Sequence, residues 1–131
     1  MGEGAATPRT LGIMLVSDRF EHAHHALVMA ASAASLDRPV VLFATHGGLH
    51  ALCSDWSGLA GSERDTLFQA RGVAGFGQLQ DTLALLGVRL MACEAGLRAI
   101  DLAPDALLGA VERVGVPTFL DAVGDGQMLS I

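Results

Sequence analysis

The chain alternates between short runs of consecutive apolar residues and longer stretches in which apolar positions recur every three or four residues. Leu11 to Val16, Val40 to Phe43 and, after Arg89, Leu90 to Cys93 are the runs, each of a length that suits a strand buried on both faces. Between the first two, His22 to Leu36 has helical spacing, with Leu27, Ala30, Ala31 and Ala34 on one face. Asp37-Arg38-Pro39 ends it, because proline disfavours helical geometry in the residue before it. Strand, helix and strand at this spacing predict a βαβ unit with parallel strands and a right-handed crossover. His46-Gly47-Gly48 then breaks the second strand, and Leu49 to Leu52 reads as one helical turn.

The segment from Cys53 to Gly75 is rich in Gly and Ser and predicts only a short helix, opening at Ser62-Glu63-Arg64-Asp65. Phe76 to Leu86 predicts a better one, with Leu79, Leu83 and Leu86 inward and Gly87 as its stop. After the third strand, Glu94 to Ile100 and Asp105 to Val114 read as helices, the latter with Pro104 in its first turn and Leu107, Leu108 and Val111 inward. Val116 to Val123 and Met128 to Ile131 read as strands around a Gly124-Asp125-Gly126 turn. The predicted architecture is a single-domain three-layer α/β/α fold over residues 10–131, with a mainly parallel, five-stranded, doubly wound sheet. Residues 1–9 read as a flexible tail.

A length of 131 residues suits one domain, and 51% hydrophobic content with 17% charge describes a chain able to bury a core. The abundance of Ala, Leu, Val and Gly leaves apolar surface that a partner subunit would cover, so a homo-oligomer is expected. The net charge of −6 argues against nucleic acid as a partner. No apolar run approaches the ~20 residues of a membrane span. Two cysteines do not make a secreted disulfide framework, and Met1 to Arg9 has no apolar leader core, so the cytoplasm is the expected location. No GxGxxG follows the first strand, which argues against a nucleotide enzyme.

The candidate chemistry gathers where the predicted strands end. Cys93 closes the third strand and a helix follows it, which places a thiol at the carboxyl end of a parallel sheet, where such sheets bind ligands. A helix start and Arg98 favour a thiolate there; Glu94 opposes it by like charge. Ser17 and Asp18 occupy the turn after the first strand, where Asp18 reads either as a helix cap or, with Ser17, as a ligand contact. His22 and His46 follow the ends of the first and second strands and reach the Cys93 crevice if the first and third strands are neighbours. On a helix His22 and His25 share a face and His24 points away; all three also fit solvated positions at a helix start. Gly47 and Gly48 either admit a small ligand close to the backbone or simply end the strand. Cys53 is a possible resolving partner for Cys93 or a bystander, and Trp56 a lid or an oligomer contact.

Five pieces of the chain, in order, resemble one family. They are Leu15-Val16-Ser17-Asp18, the Ala-rich helix Ala26 to Ala34, Leu42-Phe43-Ala44-Thr45-His46-Gly47-Gly48-Leu49, Val88 to Glu94 with its cysteine, and Leu107 to Ile131. Together they are similar to the DsrE/DsrF-like sulfur-relay superfamily, in particular its peroxiredoxin-like subgroup. The resemblance implies a mainly parallel five-stranded sheet, assembly as trimers or hexamers, and a cysteine that carries persulfide sulfur between donor and acceptor proteins. Transferred by position, that cysteine is Cys93. The candidate ligand contacts read from the strand ends themselves are Ser17, Asp18, His22, His46, Gly47 and Gly48, and no metal or cofactor is expected. The competing readings are a small-ligand-binding or assembly module on the same fold, and a metal-binding protein built from Cys93, His22 and His46.

Overall fold

A computed structural model describes residues 8–131. Its strands are β1 (Leu11–Leu15), β2 (Val40–Ala44), β3 (Arg89–Cys93), β4 (Glu112–Val114) and β5 (Gln127–Ser130). They pair in the order β4-β3-β2-β1-β5, and every pairing is parallel. The helices are α1 (Phe20–Ser35), α2 (Asp65–Ala70), α3 (Phe76–Leu85), α4 (Glu94–Ala99) and α5 (Val116–Val123), with short 3-10 turns at His46–Leu52, Ser62–Arg64 and Pro104–Ala106. The five-stranded, parallel α/β fold read from the sequence is the fold of the molecule. Residues 1–7 of the predicted tail lie outside the described residues, and Arg9, inside them, donates from Nη2 to the Asp125 carbonyl at 2.6 Å.

Alternation along the strands divides the core in two. Leu11, Ile13 and Leu15, with Val40, Leu42, Ala44, Leu90 and Ala92, face α1 and α3 and join Phe20, Leu27, Leu49 and Leu83 in the larger cluster. Val41, Phe43, Met91 and Cys93 face the other way, against Phe119 and Val123 of α5. A sheet buried on both faces needs apolar residues at both parities, and that is why its inner strands read as continuous runs rather than alternations.

The face of α1 differs from the one predicted. Ala23, His24, Ala26, Leu27, Ala30 and Ala33 are buried, while Ala31 and Ala34 lie at the rim. Likewise α3 ends one residue early, and Leu86, expected inward, is exposed.

The region from Asp105 to Val123 reverses the predicted types. Asp105 to Val114 holds a 3-10 turn and the edge strand β4, and Val116 to Val123, predicted as a strand, is α5. Pro117 lies in the first turn of α5, where its missing N–H costs nothing, whereas in a strand it would remove a ladder bond. Gly115 accordingly starts a helix instead of ending one. Phe119 and Val123, four residues apart, are the two residues α5 buries.

Two buried polar side chains fix the long β2–β3 connection. Asp65 accepts the Phe76 N–H at 2.8 Å and the Gln69 amide at 2.8 Å, so a carboxylate from α2 satisfies an orphan donor at the start of α3. Gln80 donates to the carbonyls of Ala51 and Cys53, each at 2.9 Å. These bonds hold the segment after β2 against α3, and so set the position of the 3-10 turn beside the candidate site.

Candidate functional site at the strand carboxyl ends

Cys93 is the last residue of β3 and the N-cap of α4. Its Sγ accepts the Gly96 N–H at 3.3 Å, which supplies one of the helix's orphan donors with a sulfur partner. The residue is 4% exposed and packs with Phe43, Met91, Phe119 and Val123. From β3 the chain leaves into α4, whose Leu97 belongs to the larger cluster. From β4, whose Val114 pairs with Cys93, it leaves into α5 on the opposite face. The two exits diverge between the ends of β3 and β4, and such a divergence is where open parallel sheets form their ligand crevices.

Gly96 is the residue that the sequence reading passed over. A Cβ there would lie 2.6 Å from Thr45 Oγ1 and 2.9 Å from the His46 nitrogen, so only glycine lets α4 approach the end of β2 this closely. Its signal was a glycine in the first turn of a helix, which helix propensity disfavours by about 1 kcal/mol and which therefore asks for a packing reason.

The charge beside the thiol is not that of Glu94 alone. The Glu94 carboxylate lies 3.8 Å from Arg98 Nη1 and 3.8 Å from Arg113 Nε, so two guanidinium groups answer one carboxylate. Arg113 comes from β4, a contact that only sheet pairing creates.

The other predicted residues form a continuous ledge along the ends of β1 and β2. Ser17 Oγ accepts the Arg19 N–H at 3.1 Å and shares a hydrogen bond with His22 Nδ1 at 2.8 Å. Asp18 does not cap α1: the N-cap is Arg19, and no side chain caps it. Gly47 and Gly48 are explained by the chain itself. A Cβ on Gly47 would meet Asp18 Cβ at 2.4 Å, and one on Gly48 would meet the Leu15 carbonyl oxygen at 2.3 Å. The Gly48 N–H also donates to the Val16 carbonyl at 3.1 Å, locking the two turns together. His46 is exposed in a left-handed conformation, with φ of 51°.

The condition attached to His22 and His46 is not met, since β2 lies between β1 and β3. His22 and Cys93 therefore sit at opposite ends of a row of three strand termini. Among the described residues no cluster of three His, Cys, Asp or Glu side chains can hold a metal ion, so the grouping of Cys93, His22 and His46 as ligands is not formed.

The structure also places Cys53, the helix-start histidines and Trp56. Cys53 lies in the larger cluster, on the opposite side of the sheet from Cys93, and does not resolve it. Its Sγ donates to the Leu49 carbonyl at 3.4 Å, and burial, then the Asp55 carboxylate, push its thiol pKa up. His22 and His25 are exposed, but His24 is 6% exposed and bonds through Nε2 to the Ala74 carbonyl at 2.9 Å. Trp56 is half-buried, its ring packed with Phe20 and Phe76 at centroid distances of 6.0 and 5.0 Å.

Comparison with known proteins finds likeness in structure only. No protein-family profile matches the chain, and no curated protein matches its sequence. The crystal structure of the ychN protein from E. coli superposes with a TM-score of 0.68 at 15% identity, covering 94% of this chain and 99% of that one. MTH1491 from Methanobacterium thermoautotrophicum, a protein of unknown function, gives a TM-score of 0.57 at 18% identity, with coverage of 94% and 99%. Both have the DsrE-like fold, and this chain shares it. No helix among the described residues is long and apolar enough to cross a membrane.

Proposed function

We propose that the protein is a cytoplasmic sulfur carrier of the DsrE-like class, in its peroxiredoxin-like subgroup, with Cys93 as the acceptor. The observation that carries this reading is the placement of Cys93. It is a thiol at the carboxyl end of an inner parallel strand, held by a backbone N–H and next in sequence to Glu94, whose carboxylate pairs with Arg98 and Arg113, at the point where the chain diverges to both faces. The Cys93 thiolate attacks the outer sulfur of a donor persulfide. The donor's S–S bond breaks, the donor leaves as a thiolate, and the outer sulfur stays on Cys93 as a new persulfide. An acceptor thiolate then attacks that outer sulfur, and Cys93 leaves as a thiolate. Electrons balance in each exchange, and neither a metal nor a second protein cysteine is required. Ser17, Asp18, His22 and His46 border the same row of strand ends and would contact the approaching donor or acceptor.

Intact-mass measurement after incubation with a persulfide donor tests this. The expected result is a gain of one sulfur that persists in Cys53→Ser and disappears in Cys93→Ser. Equal loading of Cys93→Ser, or no loading of a protein whose control thiol loads, overturns it.

A second reading, assembly, is favoured by the surface around α5. Val16, Val116, Leu120 and Met128 are 40% to 48% exposed there, an apolar surface suited to a subunit contact. We infer a homo-oligomer, with trimers or hexamers as the forms the resemblance implies. Sedimentation should show Leu120→Asp dissociating it, and a wild-type chain that stays monomeric at high concentration removes the idea.

A further inference from the structure

On the other side of β1 from β2, β5 forms an edge of the sheet. Gln127 donates its N–H to the Thr10 carbonyl at 2.9 Å, and Ile131 donates to the Met14 carbonyl and accepts from the Val16 N–H, each at 2.8 Å. The odd-numbered residues thus turn their backbone groups toward β1. Strand alternation directs the N–H and C=O of Met128 and Ser130 to the open edge.

Beside that edge, on the α1 face, lies a trough of about 330 Å³ walled by Leu11, Met29, Leu36 and Leu129. Arg38 and Gln127 line it at the amino-terminal end of β5. The Arg38 guanidinium is already oriented: Nε donates to the Arg9 carbonyl at 3.1 Å and Nη1 to Gln127 Oε1 at 3.2 Å. Among the described residues its Nη2 makes no hydrogen bond, and it pairs with no carboxylate.

We propose that this trough and edge form a peptide-binding site, which takes the extended carboxyl-terminal segment of a partner protein as an added antiparallel strand on β5. Three features select that occupant over others. Among the described residues the outward backbone groups of Met128 and Ser130 are unpaired, which makes them a template for a strand. The trough lies on one side of the edge only, so it receives every second side chain of that strand and suits aliphatic ones. An antiparallel strand brings its carboxyl end opposite Gln127, where Arg38 Nη2 takes the terminal carboxylate in a charge-assisted bond; a parallel strand would bring an ammonium group to the same arginine. A small aliphatic carboxylate would use the trough and the arginine but leave the edge unpaired. The Arg38 end of the trough lies at the opposite end of β1 from Ser17, and the site uses no part of the Cys93 chemistry, so it does not rest on the sulfur-carrier reading.

Fluorescence anisotropy with a fluorescein-labelled Lys-Thr-Val-Thr-Val-Thr-Val peptide tests the proposal, using the free acid and its carboxyl-terminal amide. The acid binds, and the amide binds about tenfold more weakly. Arg38→Gln weakens the acid to the level of the amide. Ser130→Pro, which removes an outward N–H, weakens both forms, while Leu85→Ser on the exposed end of α3 changes neither. Thermal melts report whether each variant is folded, and Met128→Pro serves as the edge variant if Ser130→Pro is not. No binding of the acid at millimolar protein overturns the proposal. So does unchanged binding by a folded edge variant, and displacement by octanoate in that case identifies a small-carboxylate site instead.

Discussion

The two faces of the sheet are built to different standards. On one, α1 and α3 pack over the strands, and Phe20 sits fully buried among His24, Trp56, Phe68 and Phe76, with ring centroids 5.3 to 6.0 Å from its own. On the other, the single eight-residue helix α5 buries Phe119 and Val123, with Phe119 stacked on Phe43 at 4.9 Å. Each face holds one cysteine. Cys53 is under the thick layer, with its thiol pKa raised by burial and then by Asp55. Cys93 is under the thin one. The α1 face holds the larger buried cluster, and the α5 face covers a sulfur with one short helix.

The largest expected effect comes from Phe20→Ala, which should cost about 3–5 kcal/mol in urea unfolding, in the range for a fully buried aromatic ring. Phe119→Ala should cost less, about 2 kcal/mol, because a short helix at the surface can relax around the lost ring. It should nevertheless speed alkylation of Cys93 by about tenfold or more through opened access, while Cys53 stays protected, as read by peptide mapping. Equal stability losses for the two variants, or an unchanged Cys93 rate, would erase the distinction between the faces.

Gly12→Ala sharpens the same contrast from the sheet side. The new Cβ would lie 2.3 Å from Val123 Cγ2 and 3.2 Å from the Phe119 ring, so α5 must lift. A loss of about 1–3 kcal/mol is expected, and Val123→Ala in the same chain should restore part of it. If the double variant is as unstable as the sum of the singles, the steric account fails.

The thick face also carries a pH signature. Because the Cys53 pKa is raised in the folded state, the unfolded chain loses that proton first as pH rises. Stability is therefore full below the unfolded thiol value of roughly 8.5 and declines from there toward the raised folded value. Cys53→Ala should flatten the alkaline slope measured by urea unfolding; an unaltered slope would assign it to another group.

The smallest effect belongs to the rim of the β3–β4 pair. Arg89 donates to Glu112 through Nε at 2.7 Å and Nη2 at 2.9 Å, and the arginine's hydrogen bonds hold the Glu112 carboxyl below its usual range. Both side chains are about half-exposed and meet solvent, so Glu112→Gln should cost about 1 kcal/mol or less near neutral pH. A lowered carboxylate pKa stabilises above the unfolded value, so wild type and variant should converge as pH falls below the ordinary carboxylate range.

Much of this molecule was legible because its inner strands are apolar on both faces and its longer helices are periodic. Leu11–Leu15, Val40–Ala44 and Arg89–Cys93 could hardly be anything else, and Cys93 was placed at a strand end for the same reason. The reversal at Asp105–Val123 had a local cause. Val116-Pro117-Thr118-Phe119-Leu120 is rich in residues that favour strands, and Ala106 to Val111 has helical apolar spacing, yet β4 is a three-residue edge whose identity comes from pairing with β3. Pro117 and the Phe119–Val123 spacing were the available signals.

What the sequence determined by itself is the set of buried strands, the parallel α/β class and the position of one thiol at a strand terminus, because hydrophobic periodicity and proline are local properties of the chain. Tertiary structure alone decided which strands adjoin. That order put β2 between His22 and Cys93, brought Arg113 beside Glu94, and sent the two cysteines to opposite faces. Those are consequences of contacts between residues far apart in sequence, and periodicity says which side of an element is buried but not what buries it.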